Sequence, residues 1–165
     1  MLQKIKPAAV LTALLLLALL LTGCTTRASK SAIFTVTNGD NIQVQVDLRA
    51  GYNLKMEVPF KIMKGEEVIL NGTFAEAELY DTYYQLVLED PDSMLLANED
   101  DGDITYFYYK SANEDAAEGW EYDYFVKPAD TKTVVIMGSL SSQEEAEAAF
   151  SAVTVRKAPP QTLGD

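Results

Sequence analysis

The sequence predicts an α+β domain that combines an antiparallel β-sheet with two helices. Segments near its start alternate apolar and polar residues on either side of a turn pair, which indicates half-buried strands. Residues 75–89 place apolar side chains at helical spacing. A late strand–helix–strand unit over residues 131–155 closes the pattern. Antiparallel strands together with such helices are typical of the α+β class.

The first expected element is a β-hairpin with strands at residues 33–37 and 41–48. Its turn is Asn38-Gly39-Asp40, because Asn-Gly is a favoured turn pair. The second strand alternates apolar and polar residues, so one of its faces is expected to be buried. Three further strands are expected at residues 52–58, 60–63 and 67–70. Pro59 ends or bends the first of them.

The helical segment over residues 75–89 comes next. Asp90-Pro91 ends it, because the residue before a proline is disfavoured in helical conformation. A strand over residues 84–88 is the alternative, since tyrosine and β-branched residues favour sheets. The apolar side of the helix is formed by Leu79, Tyr80, Tyr83, Leu86 and Val87.

An antiparallel meander and a second helix are expected to complete the domain. The meander strands are residues 94–97, 104–110, 120–127 and 131–140. The last is a continuous apolar run, typical of a strand covered on both faces. The helix begins at Ser141 or Ser142, because Glu144 and Glu145 complete a capping box in either register. It runs to Phe150 with Ala146 and Ala149 on its apolar side, and Val153 and Val155 begin a last strand.

The closing segment resembles that of Mog1/PsbP-like domains. The residues that carry the resemblance are Val134-Val135-Ile136, Glu144-Glu145-Ala146 and Val153-Thr154-Val155. The resemblance covers roughly the last third of the chain. It implies that the antiparallel sheet is curved and flanked by two helices, and that the domain serves binding or assembly.

The N-terminal residues predict a secretory signal with a lipid-attachment site. Two lysines precede an apolar run over residues 8–21, which is too short for a comfortable membrane span. The next residues complete Leu21-Thr22-Gly23-Cys24, which resembles the lipobox of bacterial lipoproteins. The resemblance implies cleavage after Gly23 and a diacylglycerol on the thiol of Cys24. An ordinary secretory leader with an incidental buried cysteine is the alternative.

The expected organisation is a single exported domain held near a membrane by its lipid. Residues 1–23 form the signal, residues 24–32 the lipidated cysteine and a short tether, residues 33–158 the acidic domain, and residues 159–165 a flexible tail. The location would be extracytoplasmic, on the cell membrane or on an outer membrane where the cell has one. No later apolar run is long enough to predict a transmembrane helix.

The net charge restricts the partners. The chain has 13 Lys and Arg against 25 Asp and Glu, a formal charge of −12, and cleavage would remove two of the lysines. This charge argues against nucleic acid, whose phosphates require basic patches, and against lying flat on an anionic bilayer. It favours a cationic protein or peptide as the partner.

The residue inventory argues against an enzyme. The chain has no histidine, and its one cysteine is Cys24. It therefore lacks the usual general base and the soft metal ligands, and no cofactor is expected. No phosphate-binding glycine loop or nucleophile-elbow motif occurs. A carboxylate-based hydrolase stays open, because paired acids are recognised by their separation in space.

The acidic residues Glu99, Asp100, Asp101 and Asp103 form the first candidate binding feature. An EF-hand with Gly102 at its sixth position would begin at Ala97 and end at Tyr108, neither of which can ligate Ca²⁺ as required. A non-standard Ca²⁺ site stays open. A soluble hairpin loop built on Asp-Gly turn chemistry is the favoured interpretation.

Aromatic rows on two neighbouring strands form the second candidate feature. If the strands pair, these rings would stack across them. The rings would form either a binding platform for a sugar, peptide or protein, or part of the packed core. The core interpretation is favoured because Glu121, Asp123 and Lys127 give the opposite face of the strand a solvent-facing pattern. The aromatic residues are Tyr106, Tyr108, Trp120, Tyr122 and Tyr124.

Two functions remain after these exclusions. The first is a membrane-tethered, non-catalytic binding or assembly module for a basic protein or peptide. The alternative is binding of a small ligand, a carbohydrate or Ca²⁺, or carboxylate-based catalysis at the cell envelope.

Overall fold

The computed structural model describes residues 28–159, which form two antiparallel sheets and two helices. This confirms the α+β class, although the strands divide between two sheets and do not form the single sheet that the sequence suggested. The predicted signal, the lipidation site Cys24 and residues 160–165 of the predicted tail lie outside the described residues.

The elements follow one another along the chain with short connections. The helices are α1 (Leu79–Glu89) and α2 (Gln143–Ala152), and a 3₁₀ turn occupies Leu48–Ala50. The strands are β1 (Ser29–Thr35), β2 (Asn41–Asp47), β3 (Tyr52–Lys55), β4 (Phe60–Lys64), β5 (Glu67–Glu76), β6 (Ser93–Asp100), β7 (Ile104–Ala112), β8 (Trp120–Pro128), β9 (Thr133–Ser139) and β10 (Val153–Lys157).

The small sheet contains the predicted hairpin and the last strand, in the order β1-β2-β10. Gly39 in the hairpin turn has φ of 91°, a conformation that glycine adopts without strain. Strand β1 begins at Ser29, so it takes in residues assigned from the sequence to the tether. The reason is that β2 is long enough to pair with the chain back to Ser29, opposite Asp47.

The large sheet has the order β3-β4-β5-β9-β8-β7-β6 and contains the predicted meander. Strand β9 lies at its centre and is buried on both faces, as its apolar run predicted. Strand β3 ends at Lys55, and Met56 and Val58 are exposed, so the alternation expected through Val58 does not correspond to a strand. The strand–helix–strand unit that closes the domain crosses from the large sheet to the small one.

Helix α1 is shorter than its apolar spacing predicted. It begins at Leu79 and not near Ala75, because β5 continues to pair with β9 as far as Glu76. The alternative strand over residues 84–88 is wrong, since those residues are helical. The predicted stop at Asp90 is confirmed, as Asp90 is the C-cap residue.

Helix α2 has the predicted start and the predicted buried side. Ser142 is its N-cap, and the Ser142 hydroxyl accepts a hydrogen bond from the Glu145 amide at 3.3 Å. The side chain of Glu145 does not complete the capping box. It accepts hydrogen bonds from the Tyr52 hydroxyl at 2.6 Å and from Lys64 Nζ at 2.8 Å, which joins α2 to β3 and β4.

The two faces of the large sheet bury separate cores. One face packs against the small sheet and α2 around Ile42, Val44 and Phe60. The other packs against α1, where Tyr80 meets Phe107 at 4.9 Å between ring centroids. Neither helix of residues 28–159 has the length and apolar character that crossing a membrane requires.

Candidate functional site

Two adjoining concavities lie between the β6–β7 hairpin and the α2–β10 segment. The larger, of about 580 Å³, is called the edge cleft because it runs along β10, and the smaller, of about 420 Å³, is called the tyrosine cleft. Tyr124 lines both of them. Both volumes fall within the range of about 300–1,000 Å³ that is typical of ligand sites.

The tyrosine cleft has an aromatic floor because β7 and β8 pair and bring their tyrosines together. Tyr108 lies opposite Tyr124 in the ladder, and the rings of Tyr106 and Tyr124 are 5.0 Å apart. Phe150 of α2 stacks on Tyr124 at 4.8 Å. Polar groups from α2 complete the rim, where Gln143 Nε2 donates to Glu147 Oε1 at 2.8 Å.

The hydroxyl of Tyr108 is buried and has no hydrogen-bond partner among the described residues. The side chain is 7% exposed and lines the tyrosine cleft. Burial raises the pKa of Tyr108 above its usual range, and the negative charge of Glu147 and the neighbouring Tyr122 act in the same direction. Tyr108 therefore carries a neutral hydroxyl whose hydrogen-bonding capacity is unused.

The expected aromatic platform is divided by the fold. Tyr122 is fully buried, and its hydroxyl donates to Glu118 Oε2 at 3.3 Å, so it belongs to the core. Trp120 is partly exposed, with Lys110 Nζ 4.5 Å from its ring centre. Tyr106 and Tyr124 are the two tyrosines of these rows that are both partly exposed and part of a cleft wall.

The acidic residues of the β6–β7 connection serve the turn and also line the edge cleft. Asp101 Oδ1 accepts hydrogen bonds from the amides of Asp103 and Ile104 at 2.9 and 2.8 Å, and Asp100 Oδ1 accepts one from the Gly102 amide. These contacts are the turn chemistry expected from the sequence. Asp101 and Asp103 also form part of the wall of the edge cleft.

Glu99 is the acidic residue that contacts the tyrosines of the cleft. The Tyr106 hydroxyl lies within hydrogen-bonding reach of Glu99 and Tyr124, and burial together with the charge of Glu99 raises the pKa of Tyr106. Within residues 28–159, neither Glu99 nor its neighbours Asp100, Asp101 and Asp103 has a lysine or arginine within 4.0 Å. None of these four carboxylates therefore forms a close ion pair within that range, although Arg156 and Lys157 line the same edge cleft.

A second acidic group lies on the opposite face of the large sheet, and its burial was not foreseen. Glu121, Asp123 and Lys127 were interpreted as a solvent-facing row, but each is only partly exposed. Tyr83 of α1 packs on this face, 5.1 Å from the ring of Phe125. The signal that was missed is Gly138, which lies opposite Asp123 and leaves space for its carboxylate.

The electrostatics of this second group are unusual. Burial raises the pKa of Asp123 to about 7, the charge of Glu121 acts in the same direction, and a hydrogen bond from Tyr109 opposes both. Asn113 Nδ2 donates to Glu121 Oε2 at 2.8 Å. Within the described part of the chain, no three His, Cys, Asp or Glu side chains are grouped in a way that could hold a metal ion.

The clefts offer stacking surfaces and carboxylates that form no close ion pair with a described residue. Such a combination can attract cations and hold flat or extended ligands. No family model, curated protein or solved structure matches this chain.

Proposed function

We propose that this protein is a lipid-anchored, extracytoplasmic binding module whose clefts take a cationic segment of a protein or peptide. The role is non-catalytic binding or assembly. The proposed anchor is a diacylglycerol on Cys24, and the proposed location is the cell membrane, or the outer membrane where the cell has one.

The observation that carries the proposal is the composition of the edge cleft. Its rim includes the carboxylates of Asp101, Asp103 and Asp130, and its floor includes Val126 and Met137. A basic segment with apolar residues would satisfy both parts of such a surface.

The two basic residues of the cleft have contacts of their own. Arg156 Nε donates to Gln43 Oε1 at 2.9 Å, and Lys157 Nζ donates to the backbone oxygen of Asp130 at 2.8 Å. Neither contact is to a carboxylate, so the three carboxylates of the rim form no ion pair with these two cations, and the cleft lining keeps a small excess of negative charge.

The binding proposal is tested with the full chain, purified in detergent, and basic or uncharged peptides of equal length. The basic peptide is expected to bind more tightly, and its affinity to fall as salt is raised through the physiological range, because exposed charges are screened. The double change Asp101→Asn and Asp103→Asn should weaken binding while it keeps the turn, since the amide oxygen still accepts the turn hydrogen bonds.

A matched control removes two charges elsewhere. The control changes are Glu66→Gln in the β4–β5 turn and Glu67→Gln at the start of β5. Both residues are exposed, and the two changes alter the net charge by the same amount. Binding that is insensitive to salt, or weakened equally by both double variants, would contradict recognition at the edge cleft.

The anchor is tested separately with Cys24→Ser. We expect the variant to leave the membrane fraction and to lose labelling by a fatty-acid analogue, because a lipid anchor requires the thiol. A variant that stays membrane-bound and labelled would contradict the lipobox interpretation.

A second candidate function is binding of a small ligand such as a carbohydrate in the tyrosine cleft. The specific observation that favours it is the partly exposed ring of Tyr124 in the wall of that cleft, on which a sugar could stack. Thermal stabilisation by envelope sugars, lost in Tyr124→Ala, would select this candidate over the first.

The layout is further proposed to be Mog1/PsbP-like, as the resemblance of the closing segment suggested. Support comes from the consecutive β9, α2 and β10 elements over the residues that carry the resemblance. Members of that family often serve as binding or assembly factors, which accords with the proposed role.

A further inference from the structure

Strand β10 has one unpaired edge within residues 28–159. It pairs with β2 alone, and the register places Thr154 opposite Gln45 and Arg156 opposite Gln43. The amide of Ala158 donates to the Asn41 oxygen at 2.7 Å, which fixes the phase of this antiparallel ladder. Alternation then turns the backbone groups of Thr154 and Arg156 toward β2 and those of Val155 and Lys157 away from it.

The edge cleft lies along this unpaired edge. Residues 153–157 form one wall, and the β6–β7 and β8–β9 connections form the facing wall. The amide of Ala129 donates to the Asp103 oxygen at 2.8 Å, which ties the two connections together. The free amide and carbonyl groups of β10 therefore border a concavity of about 580 Å³.

Charge and apolar area define what fits beside this edge. An added strand would extend the small sheet and direct alternate side chains toward the floor formed by Val126 and Met137. The other side chains would lie on the solvent side, where the lining of the cleft carries three carboxylates, of Asp101, Asp103 and Asp130, against the two cations of Arg156 and Lys157. A segment that alternates apolar and basic residues matches both surfaces.

We propose that an extended cationic segment of a partner protein binds in the edge cleft as an additional strand, hydrogen-bonded to the backbone of Val155 and Lys157. This inference rests on the proposed function and specifies its binding mode. Main-chain hydrogen bonds supply the docking geometry, and the acidic rim selects basic sequences.

The test uses the full chain in detergent and a synthetic peptide of about nine residues that alternates lysine and valine. The comparison peptide has the same sequence with N-methyl groups on alternate residues, which removes the donors that a strand needs on one edge. The unmodified peptide is expected to bind at least about two- to tenfold more tightly than the N-methylated peptide, even if the latter shifts to its most favourable register. This factor corresponds to one net hydrogen bond. It should also slow hydrogen exchange at the amides of Val155 and Lys157.

A variant of the protein provides an independent test. Lys157→Pro removes one edge-facing amide without removing a bond to β2, since proline is tolerated at the solvent side of edge strands. Lys157→Ala is the matched control, because it loses the same charge and keeps the amide. The proline variant is expected to bind the peptide less well than the alanine variant.

The outcomes separate this inference from the proposed function. If neither peptide binds, both are wrong. If both peptides bind equally, without protection of Val155 and Lys157, the protein binds cations but does not add a strand. If sedimentation shows a dimer in which the Val155 amide is protected from hydrogen exchange, the edge pairs with a second copy of this chain. If that protection is lost when the chain is truncated after Pro159, the edge pairs with the chain's own tail. Either result would overturn the inference.

Discussion

Replacing Gly72 with alanine is expected to destabilise the domain strongly, because a ring occupies the space beside it. Gly72 lies opposite Phe60 in the β4–β5 ladder. A Cβ atom at this position would lie 2.0, 2.3 and 2.4 Å from three atoms of the Phe60 ring. Non-bonded carbon atoms are in favourable contact at about 3.5–4.0 Å, so the ring would have to move by more than about 1 Å.

The ring has little room to move. Phe60 is fully buried, and its centroid lies 5.5 Å from that of Phe34 and 5.6 Å from that of Phe74. Overpacking that the core absorbs costs about 1–3 kcal/mol, and loss of a buried phenylalanine costs about 3–5 kcal/mol. We therefore expect Gly72→Ala to lower the free energy of unfolding by about 3 kcal/mol, measured by urea denaturation.

Gly138→Ala is the matched control in a neighbouring strand. Its Cβ would lie 2.9 Å from Asp123 Oδ1, the end of a side chain that can rotate, so we expect a loss below about 1 kcal/mol. Combining Gly72→Ala with Phe60→Leu should be less destabilising than the sum of the single changes, since the smaller side chain relieves the clash. Equal effects at Gly72 and Gly138 would refute the packing argument.

Three further predictions concern buried or titrating side chains. Tyr108→Phe should raise the free energy of unfolding by about 1 kcal/mol, because it removes an unpartnered buried hydroxyl, and Tyr122→Phe should not; the reverse order in urea denaturation would contradict the hydrogen-bond assignment. The pKa of Asp123 is raised from 3.8 to about 7, so the folded state retains a proton that the unfolded chain releases and stability falls as the pH rises through this window. Asp123→Asn should flatten that fall, by up to about 3 kcal/mol between pH 4 and 7, and an unchanged slope would show that Asp123 does not titrate there. Hydrogen bonds from Lys64 and Tyr52 lower the pKa of Glu145, so this carboxylate stabilises the folded state by less than about 1 kcal/mol above its unfolded pKa, and the stabilisation is lost as the pH falls. Glu145→Gln should remove that part of the loss of stability at acid pH, measured by a pH series of thermal melts.

The local patterns predicted the elements well because each depends on near neighbours. Asn38-Gly39 specified a hairpin, Ser142 began a helix with Ala146, Ala149 and Phe150 on its buried side, and Asp90 ended the other helix. The predicted start of α1 was wrong, because β5 pairs with β9 as far as Glu76. That pairing depends on residues far away in the sequence.

The arrangement of the strands and the site could not be read from local patterns. The separation of β10 from the large sheet depends on its pairing with β2, more than a hundred residues earlier. The position of the Asp123 carboxylate depends on Gly138 across the ladder. The pairing of β7 with β8 brings Tyr106, Tyr108 and Tyr124 together, but the cleft that all three line also requires Phe150 of α2, which is distant in sequence.

Site-specific photo-crosslinking in cells tests the central claim most directly. A photoreactive residue at Thr154, which is exposed and lines the edge cleft, is compared with one at Asp81 on the exposed side of α1. We predict adducts at position 154 that map to a lysine- or arginine-rich segment of a partner and disappear with Asp101→Asn and Asp103→Asn. Equal adducts at both positions, or adducts that survive neutralisation of the rim, would contradict a binding module whose edge cleft takes a cationic segment.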